Sequence, residues 1–437
     1  MGIHGIRLFT ISLVLAVVTF VAAQAPPAPP AGPFEVLPHF EASAIVPGSV
    51  LQGPNHRVQD RVNNDGYYNH YRITTPEVGV FDAISTRMLE IRITEINALV
   101  TLKKANDAAI LAGGAVDAFG DMFTGAVSTV TNPVQTLEGV PAGLNRLFGF
   151  AGREVERTEE KIDANEAATQ AGQGASTLSM VGQGSESVAR GVLGVNAAER
   201  RWAEKLKVDP YTTNPVLRKA LNRVAELEAA GRFSKDLVPG GAVLTAISAA
   251  SSVNDLVYKN WDEVERLNEE RLTKMGVGPR VSQAFRLNRA YSETRQTRLI
   301  AALDHLQGLP GRAEFVERAA RADAETRAQF FQEAAELMAI FHRTQAPLAR
   351  LVPEAGGAGA LTADNRILQI LNVDYMVWTA DLAAHADHIT AQARTAFPGA
   401  KPEVWLTGQV SPRTRDELRA RGWTVHERGL RLDPQWP

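Results

Sequence analysis

The amino-acid sequence predicts a mainly α-helical protein with a small N-terminal β-hairpin region and a C-terminal α/β module. Three observations support this fold class. Apolar residues recur at helical spacing through much of residues 81–353. Residues 56–73 instead alternate apolar and polar side chains around an Asn-Asn-Asp-Gly turn. Residues 403–426 have the pattern of a strand, a helix and a second strand.

The first 23 residues have the pattern of a secretory signal peptide. Arg7 supplies a basic start, an apolar run extends from Leu8 to Val21, and small residues precede Gln24. We therefore expect an exported protein of the bacterial periplasm or cell envelope, with secretion as an alternative. The apolar run is shorter than the roughly 20 residues that a membrane-spanning helix needs, which favours cleavage over a retained anchor.

Composition narrows the function classes. The chain of 437 residues contains no cysteine, which excludes disulfides, thiol catalysis and zinc–thiolate sites. Its formal net charge is only −3, and no long run of lysine and arginine occurs. The charge pattern therefore gives no electrostatic reason to expect nucleic acid as a partner.

The predicted domain organisation follows the changes in composition. Residues 24–33 contain five prolines and predict a stiff linker after the signal peptide. The β-hairpin region covers residues 34–80, the helical body residues 81–353, and the small α/β module residues 361–437. Within the body, small residues dominate 108–150 and predict a tightly packed helical hairpin. An element lying on a membrane surface is the alternative for this segment.

Four helices of the body are predicted from apolar stripes and end signals. The first covers residues 82–112, with Ile84 on its apolar stripe. The second begins at Asn214-Pro215, because asparagine caps free amides and proline fits the first helical turn. The remaining two cover residues 278–306 and 323–346. Side chains expected in the core from the last helix are Phe330, Leu337, Met338 and Phe341.

The C-terminal module is predicted as alternating strands and helices. Strands are expected at 366–371, 403–408 and 423–426, and a helix at 375–396. A second helix begins at Ser411-Pro412 and ends before Gly422. Tryptophans expected in or near the core of this module are Trp378, Trp405, Trp423 and Trp436.

One candidate metal site lies on the predicted helix 375–396. Asp381, His385 and His388 recur at spacings of four and three, which places them on one helix face. Two imidazoles and a carboxylate are a ligand set for zinc or iron. A solvated face without metal is the competing interpretation, since no further ligand and no His-Glu-x-x-His pattern accompanies them.

A second candidate is a cluster of aromatic residues in the predicted hairpin. Its members are Tyr67, Tyr68, His70, Tyr71 and Arg72. Tyrosine is favoured at interfaces, so the cluster indicates a binding surface for a glycan, a peptide or a protein. Cross-strand aromatic pairing is the structural alternative, which we favour for one face while the other stays open.

The function that these observations favour is that of an exported, non-enzymatic binding or structural protein of the bacterial envelope. Its expected partner is an envelope protein or a membrane surface, and no cofactor is expected. The alternative is a metal-dependent periplasmic enzyme that uses Asp381, His385 and His388. No hydrolase or nucleotide-binding motif occurs. The segments 89–92 and 209–215 look like motifs of a protein family, but they indicate neither a particular family nor a chemistry.

Overall fold

A computed structural model describes five stretches of the chain. They are residues 32–111, 196–229, 255–259, 261–353 and 356–432. The predicted signal peptide, nearly all of the linker and of segment 108–150, and Trp436 lie outside these stretches and stay predictions. Within the described stretches, no helix combines the length and the apolarity needed to cross a membrane.

The N-terminal part forms a curled antiparallel sheet of six short strands. They are β1 (His39–Glu41), β2 (Gln52–Gly53), β3 (His56–Val58), β4 (Arg61–Asn64), β5 (Asn69–Thr74) and β6 (Val80–Ile84). β5 pairs with β4 and β3 along one edge and with β6 along the other. Side chains alternate along β5, so Tyr71 and Ile73 face the core while Arg72 is exposed. Two short helices, α1 (Ala42–Ile45) and α2 (Gly48–Leu51), connect β1 to β2.

Three longer helices cover this sheet and complete what we call the first lobe. They are α3 (Thr86–Leu111), α4 (Ala197–Leu206) and α5 (Pro215–Ala229). Their apolar side chains share one core with those of the sheet. The predicted start of α5 is confirmed: Asn214 Oδ1 accepts a hydrogen bond from the backbone N–H of Val216 at 3.1 Å.

Five helices begin the second lobe. They are α6 (Trp261–Lys274), α7 (Pro279–Arg286), α8 (Glu293–Asp304), α9 (Arg312–Ala319) and α10 (Glu325–Thr344). The predicted helix 278–306 is two helices, because the chain turns after Arg286 and the Ser292 hydroxyl caps the start of α8. The prediction for α10 is confirmed, since all four core side chains named for it are buried.

The second lobe ends in a mixed five-stranded sheet and a small parallel pair. The strands are β7 (Leu348–Leu351), β8 (Gly359–Thr362), β9 (Arg366–Leu371), β10 (Tyr375–Met376), β11 (Lys401–Leu406), β12 (Gln409–Val410) and β13 (Thr424–His426). The larger sheet has the order β13-β11-β9-β8-β7, with β9, β11 and β13 parallel. Helices α11 (Ala380–Ala396) and α12 (Pro412–Ala420) make the two crossovers. The predicted β-α-β unit is confirmed, and the core contains Trp378, Trp405 and Trp423.

The prediction of a mainly α-helical fold is wrong. The described chain mixes helices with three sheets, and the predicted small hairpin is a six-stranded sheet. All thirteen strands of the described stretches have two to six residues, and in the shortest of them a period of two does not stand out. Residues 80–84 illustrate the error: Ile84 fits the stripe of the predicted helix 82–112, yet this segment pairs with β5 along its whole length. Ser85, at φ 88°, then turns the chain into α3.

Two tyrosines of the first lobe are buried in the core of the second. Tyr67 and Tyr68 follow β4 in the turn of the β4–β5 hairpin and pack with the side chains of the second-lobe helices and sheet. The backbone carbonyl of Tyr67 also accepts hydrogen bonds from the N–H groups of Asp374 and Tyr375, at 2.9 and 3.2 Å. The hairpin therefore fastens the two lobes together.

Candidate functional site between the two lobes

A crevice opens where two parallel strands of the second lobe end. β9 ends at Leu371 and β11 at Leu406, so Asn372 and Thr407 begin loops at the same edge of the sheet. Ligands of open α/β sheets bind in crevices at this carboxyl edge. Here the first turn of α3 forms the facing wall, and the crevice has a volume of about 460 Å³. We call it the outer crevice.

Arginine side chains give the outer crevice a positive character. Its charged groups are Arg87, Arg428, Arg431, Glu90 and Asp374. Arg428 stands at φ 51° after β13 and donates a hydrogen bond from Nη2 to Gln409 Oε1 at 2.8 Å. Burial raises the pKa of Glu90, although Arg87 and Arg431 oppose this effect. The arginines outnumber the carboxylates three to two, and both carboxyl groups have raised pKa values.

Asp374 connects the second lobe to the first at the floor of the outer crevice. Its carboxylate accepts hydrogen bonds from the backbone N–H of Asn69 at 2.9 Å and of Thr86 at 3.0 Å. Because Thr86 begins α3, the carboxylate also lies at the positive end of the helix dipole. Burial nevertheless raises the pKa of Asp374 to about 6, against the backbone hydrogen bonds, which lower it.

We expect Asp374→Asn to flatten the pH dependence of stability between about pH 4 and pH 6. The pKa of about 6 in the folded protein lies above the ordinary value of 3.8, so the folded state keeps this proton to a higher pH than the unfolded chain. The stability linked to that proton is present at low pH and is lost as the pH rises through 6. Urea unfolding from pH 4.5 to 7 measures this difference. Parallel curves for the variant and the wild type would contradict it.

A smaller cavity lies deeper between the lobes, and Arg87 lines both spaces. We call it the inner chamber; its volume is about 80 Å³. Its walls come from α3, the loop 207–213, α8 and α10. The structure thus brings together parts of the two segments, 89–92 and 209–215, that stood out in the sequence.

Glu95 organises the first-lobe side of the inner chamber. It is buried on α3 and accepts hydrogen bonds from the Thr212 hydroxyl, from Asn214 Nδ2 at 3.0 Å and from Arg92 Nη1 at 2.6 Å. Arg92 also donates a hydrogen bond to the Thr213 hydroxyl at 3.3 Å. One carboxylate therefore holds both the loop and the start of α5 against α3.

Ion pairs occupy the second-lobe side of the inner chamber. Arg298 Nε lies 2.6 Å from Glu336 Oε1, and Arg295 Nη2 lies 3.1 Å from Glu325 Oε1. Arg87 extends from the first lobe to within 3.5 Å of Glu333 Oε1. Buried charges are costly to desolvate unless they are paired and hydrogen-bonded, which accounts for the dense pairing.

The predicted metal ligands lie on α11 and line neither the outer crevice nor the inner chamber. The His385 ring packs against Gly356, where an added Cβ would stand 2.7 Å from Cε1. Burial, followed by the charge of His388, lowers the pKa of His385 to about 4. His388 is exposed and Asp381 is half-buried. The described part of the chain contains no group of three or more His, Asp or Glu residues that is placed to hold a metal ion. The metal site thus gains no support from this arrangement and stays a prediction.

The aromatic cluster of the hairpin is directed mainly into the protein. Tyr67, Tyr68 and Tyr71 are 1%, 7% and 2% exposed. His70 Nε2 lies 2.9 Å from Asp65 Oδ2, while Arg72 Nη1 lies 3.6 Å from Asp82 Oδ1. The tyrosines therefore offer little surface to a partner in this conformation, and the exposed face of the hairpin is left with Arg72.

Comparison with known proteins assigns no family to this architecture. The chain matches no known family model, no curated protein and no solved structure at a significant level. The function proposed below is therefore inferred from the residues of the outer crevice and the inner chamber.

The residues of the outer crevice and the inner chamber were not predicted as a site from the sequence. Arg87 and Arg428 come from opposite ends of the chain, and neither belongs to a recognisable motif. The available signal was indirect: Asn372 and Thr407 directly follow predicted strands of the β-α-β unit. Because parallel strands place their carboxyl ends at one edge of a sheet, Asn372 and Thr407 could have been predicted to lie at the same edge.

Proposed function

We propose that this chain is a non-enzymatic binding protein and that the outer crevice holds a small polar ligand with an anionic group. The observation that carries the proposal is the placement of Arg87, Arg428 and Arg431 around a crevice of about 460 Å³ at the carboxyl ends of the parallel strands β9 and β11. Guanidinium groups bind carboxylates and phosphates through paired hydrogen bonds.

Size and position support the same proposal. Small-molecule sites commonly have volumes of roughly 300–1,000 Å³ and occur between domains. The outer crevice falls in this range and is lined by both lobes. The wall also offers amide and hydroxyl groups, from Asn372 and Thr407, that can orient the uncharged part of a ligand.

The test is ligand-dependent thermal stabilisation of the full chain at constant ionic strength. Citrate, succinate and glucose 6-phosphate serve as anionic probes, with glucose and glycerol as neutral controls. We expect an anionic probe to raise the Tm in a saturable manner, as ligand binding to the folded state requires. Arg428→Ala combined with Arg431→Ala is expected to weaken that probe by about tenfold or more. Arg419→Ala, on the exposed surface of α12, is the control for removal of an arginine outside the crevice.

We further propose that the protein acts in the bacterial envelope after export. The support is the N-terminal sequence pattern, from Arg7 to Ala23. Cell fractionation with N-terminal sequencing tests it, and a mature protein beginning at Gln24 outside the cytoplasm is the expected result. Full-length protein in the cytoplasmic fraction would contradict it. A carbonate wash of the membranes tests the separate proposal that the protein associates with a membrane surface.

A further inference from the structure

The carboxylates of the inner chamber are already engaged by protein donors. Glu95 accepts from three side chains, as described above. Asp209 accepts from the Thr294 hydroxyl at 2.6 Å and from the Tyr211 N–H at 2.8 Å. Glu333 accepts from Gln329 Nε2 at 3.1 Å and from Asn372 Nδ2 at 2.6 Å. Each of these three carboxylates therefore already accepts at least two hydrogen bonds from the protein.

Donor groups in the same chamber retain capacity. An arginine side chain has five N–H groups, and Arg92 and Arg295 each contribute two contacts to carboxylate, hydroxyl or carbonyl oxygens among the described residues. Gln332 is only 5% exposed, and its Nε2 has no hydrogen-bond partner among them. Lys207 is exposed where it lines the chamber and forms no ion pair within the described residues. A bound ligand rich in hydrogen-bond acceptors would satisfy these donors.

We propose that the inner chamber is a separate binding site for one small oxyanion, a phosphate or a simple carboxylate. A volume of about 80 Å³ lies well below the roughly 300–1,000 Å³ of common small-molecule sites, which favours a small ion over a larger metabolite. The ion accepts hydrogen bonds from Arg92, Arg295 and Gln332, and Lys207 adds charge on the exposed side. Because both lobes contribute donors, a bound ion strengthens the contact between them.

The experiment titrates the full chain with inorganic phosphate and, separately, with acetate, against chloride at equal ionic strength. Isothermal titration calorimetry and the Tm are the measurements. Saturable binding of one ion per chain is expected. Lys207→Gln and Gln332→Met, which remove a charge and a donor amide with little change in shape, are each expected to weaken it by about tenfold. Lys219→Gln, on the exposed face of α5, is the control and should leave binding unchanged.

The outcomes separate this site from the outer crevice. Binding that persists in the Arg428→Ala/Arg431→Ala variant supports an independent inner site, whereas loss in that variant would place the ion in the outer crevice and overturn the inference. Absence of saturable binding by both ions, or binding unaffected by both inner-chamber variants, also overturns it. Since the outer-crevice proposal is tested with larger organic probes, either site can fail without the other.

Discussion

Glu336→Ala is expected to lower the free energy of unfolding by about 3–5 kcal/mol. Glu336 is 0% exposed, and its Oε1 lies 2.6 Å from Nε of Arg298, which is itself 4% exposed. Alanine removes the buried carboxylate that pairs with this guanidinium, so less of the desolvation cost of the arginine charge is offset. A loss of this size is a large part of the roughly 5–15 kcal/mol that stabilises a typical domain. Urea unfolding followed by circular dichroism measures it.

A matched control separates burial from the ion pair itself. Glu317 lies 2.6 Å from Arg321 on an exposed surface, so the contact is equally short, and Glu317→Ala should cost less than about 1 kcal/mol. The double variant Arg298→Met/Glu336→Leu should be more stable than Glu336→Ala, because neither of these two buried positions then carries a charge. Equal losses for Glu336→Ala and Glu317→Ala would contradict the description of the Arg298–Glu336 pair as desolvated.

Tyr67→Ala is expected to be destabilising by about 3–5 kcal/mol, as large-to-small substitutions of core aromatic residues are. Tyr67 is 1% exposed and packs in the core of the second lobe although it belongs to the hairpin of the first. The substitution thus leaves a cavity where the lobes are joined. Chemical unfolding of the full chain gives the loss directly.

The control for this prediction is a large apolar residue on the surface. Leu287 is 71% exposed, and Leu287→Ala should change the free energy of unfolding by less than about 0.5 kcal/mol. If Tyr67→Ala were equally mild, the tyrosine would be free to serve as the binding surface that the sequence pattern suggested. The two interpretations of the aromatic cluster therefore predict different stabilities.

Local signals allowed the helices and the β-α-β unit to be predicted. Asn214-Pro215 and Ser411-Pro412 define helix starts with their own side chains, and both appear as expected. The apolar stripe of α10 is long enough that only a helix accounts for the spacing of its apolar residues. The short strands could not be predicted from local signals. A segment such as Val80–Ile84 becomes a strand through pairing with β5, and no local pattern encodes this pairing.

The outer crevice and the inner chamber could not be predicted from the sequence, because they form only where the two lobes meet. Arg87 is one charged residue among several on α3, and only the packing of α3 against α10 and the sheet edge shows which of them are buried. Arg428 and Arg431 follow the last strand without any motif. Electrostatic sites assembled from distant segments become visible only when the fold is known.

The proposed binding of a small anionic ligand in the outer crevice depends on Arg428 and Arg431. The most direct measurement compares the Tm shifts that citrate, succinate and glucose 6-phosphate produce in the wild type, the Arg428→Ala/Arg431→Ala variant and the Arg419→Ala control. We expect a saturable shift with at least one anionic probe, and we expect the double variant to lose this shift and the control to keep it. No shift with any anionic probe, or a shift that the double variant retains in full, would contradict it.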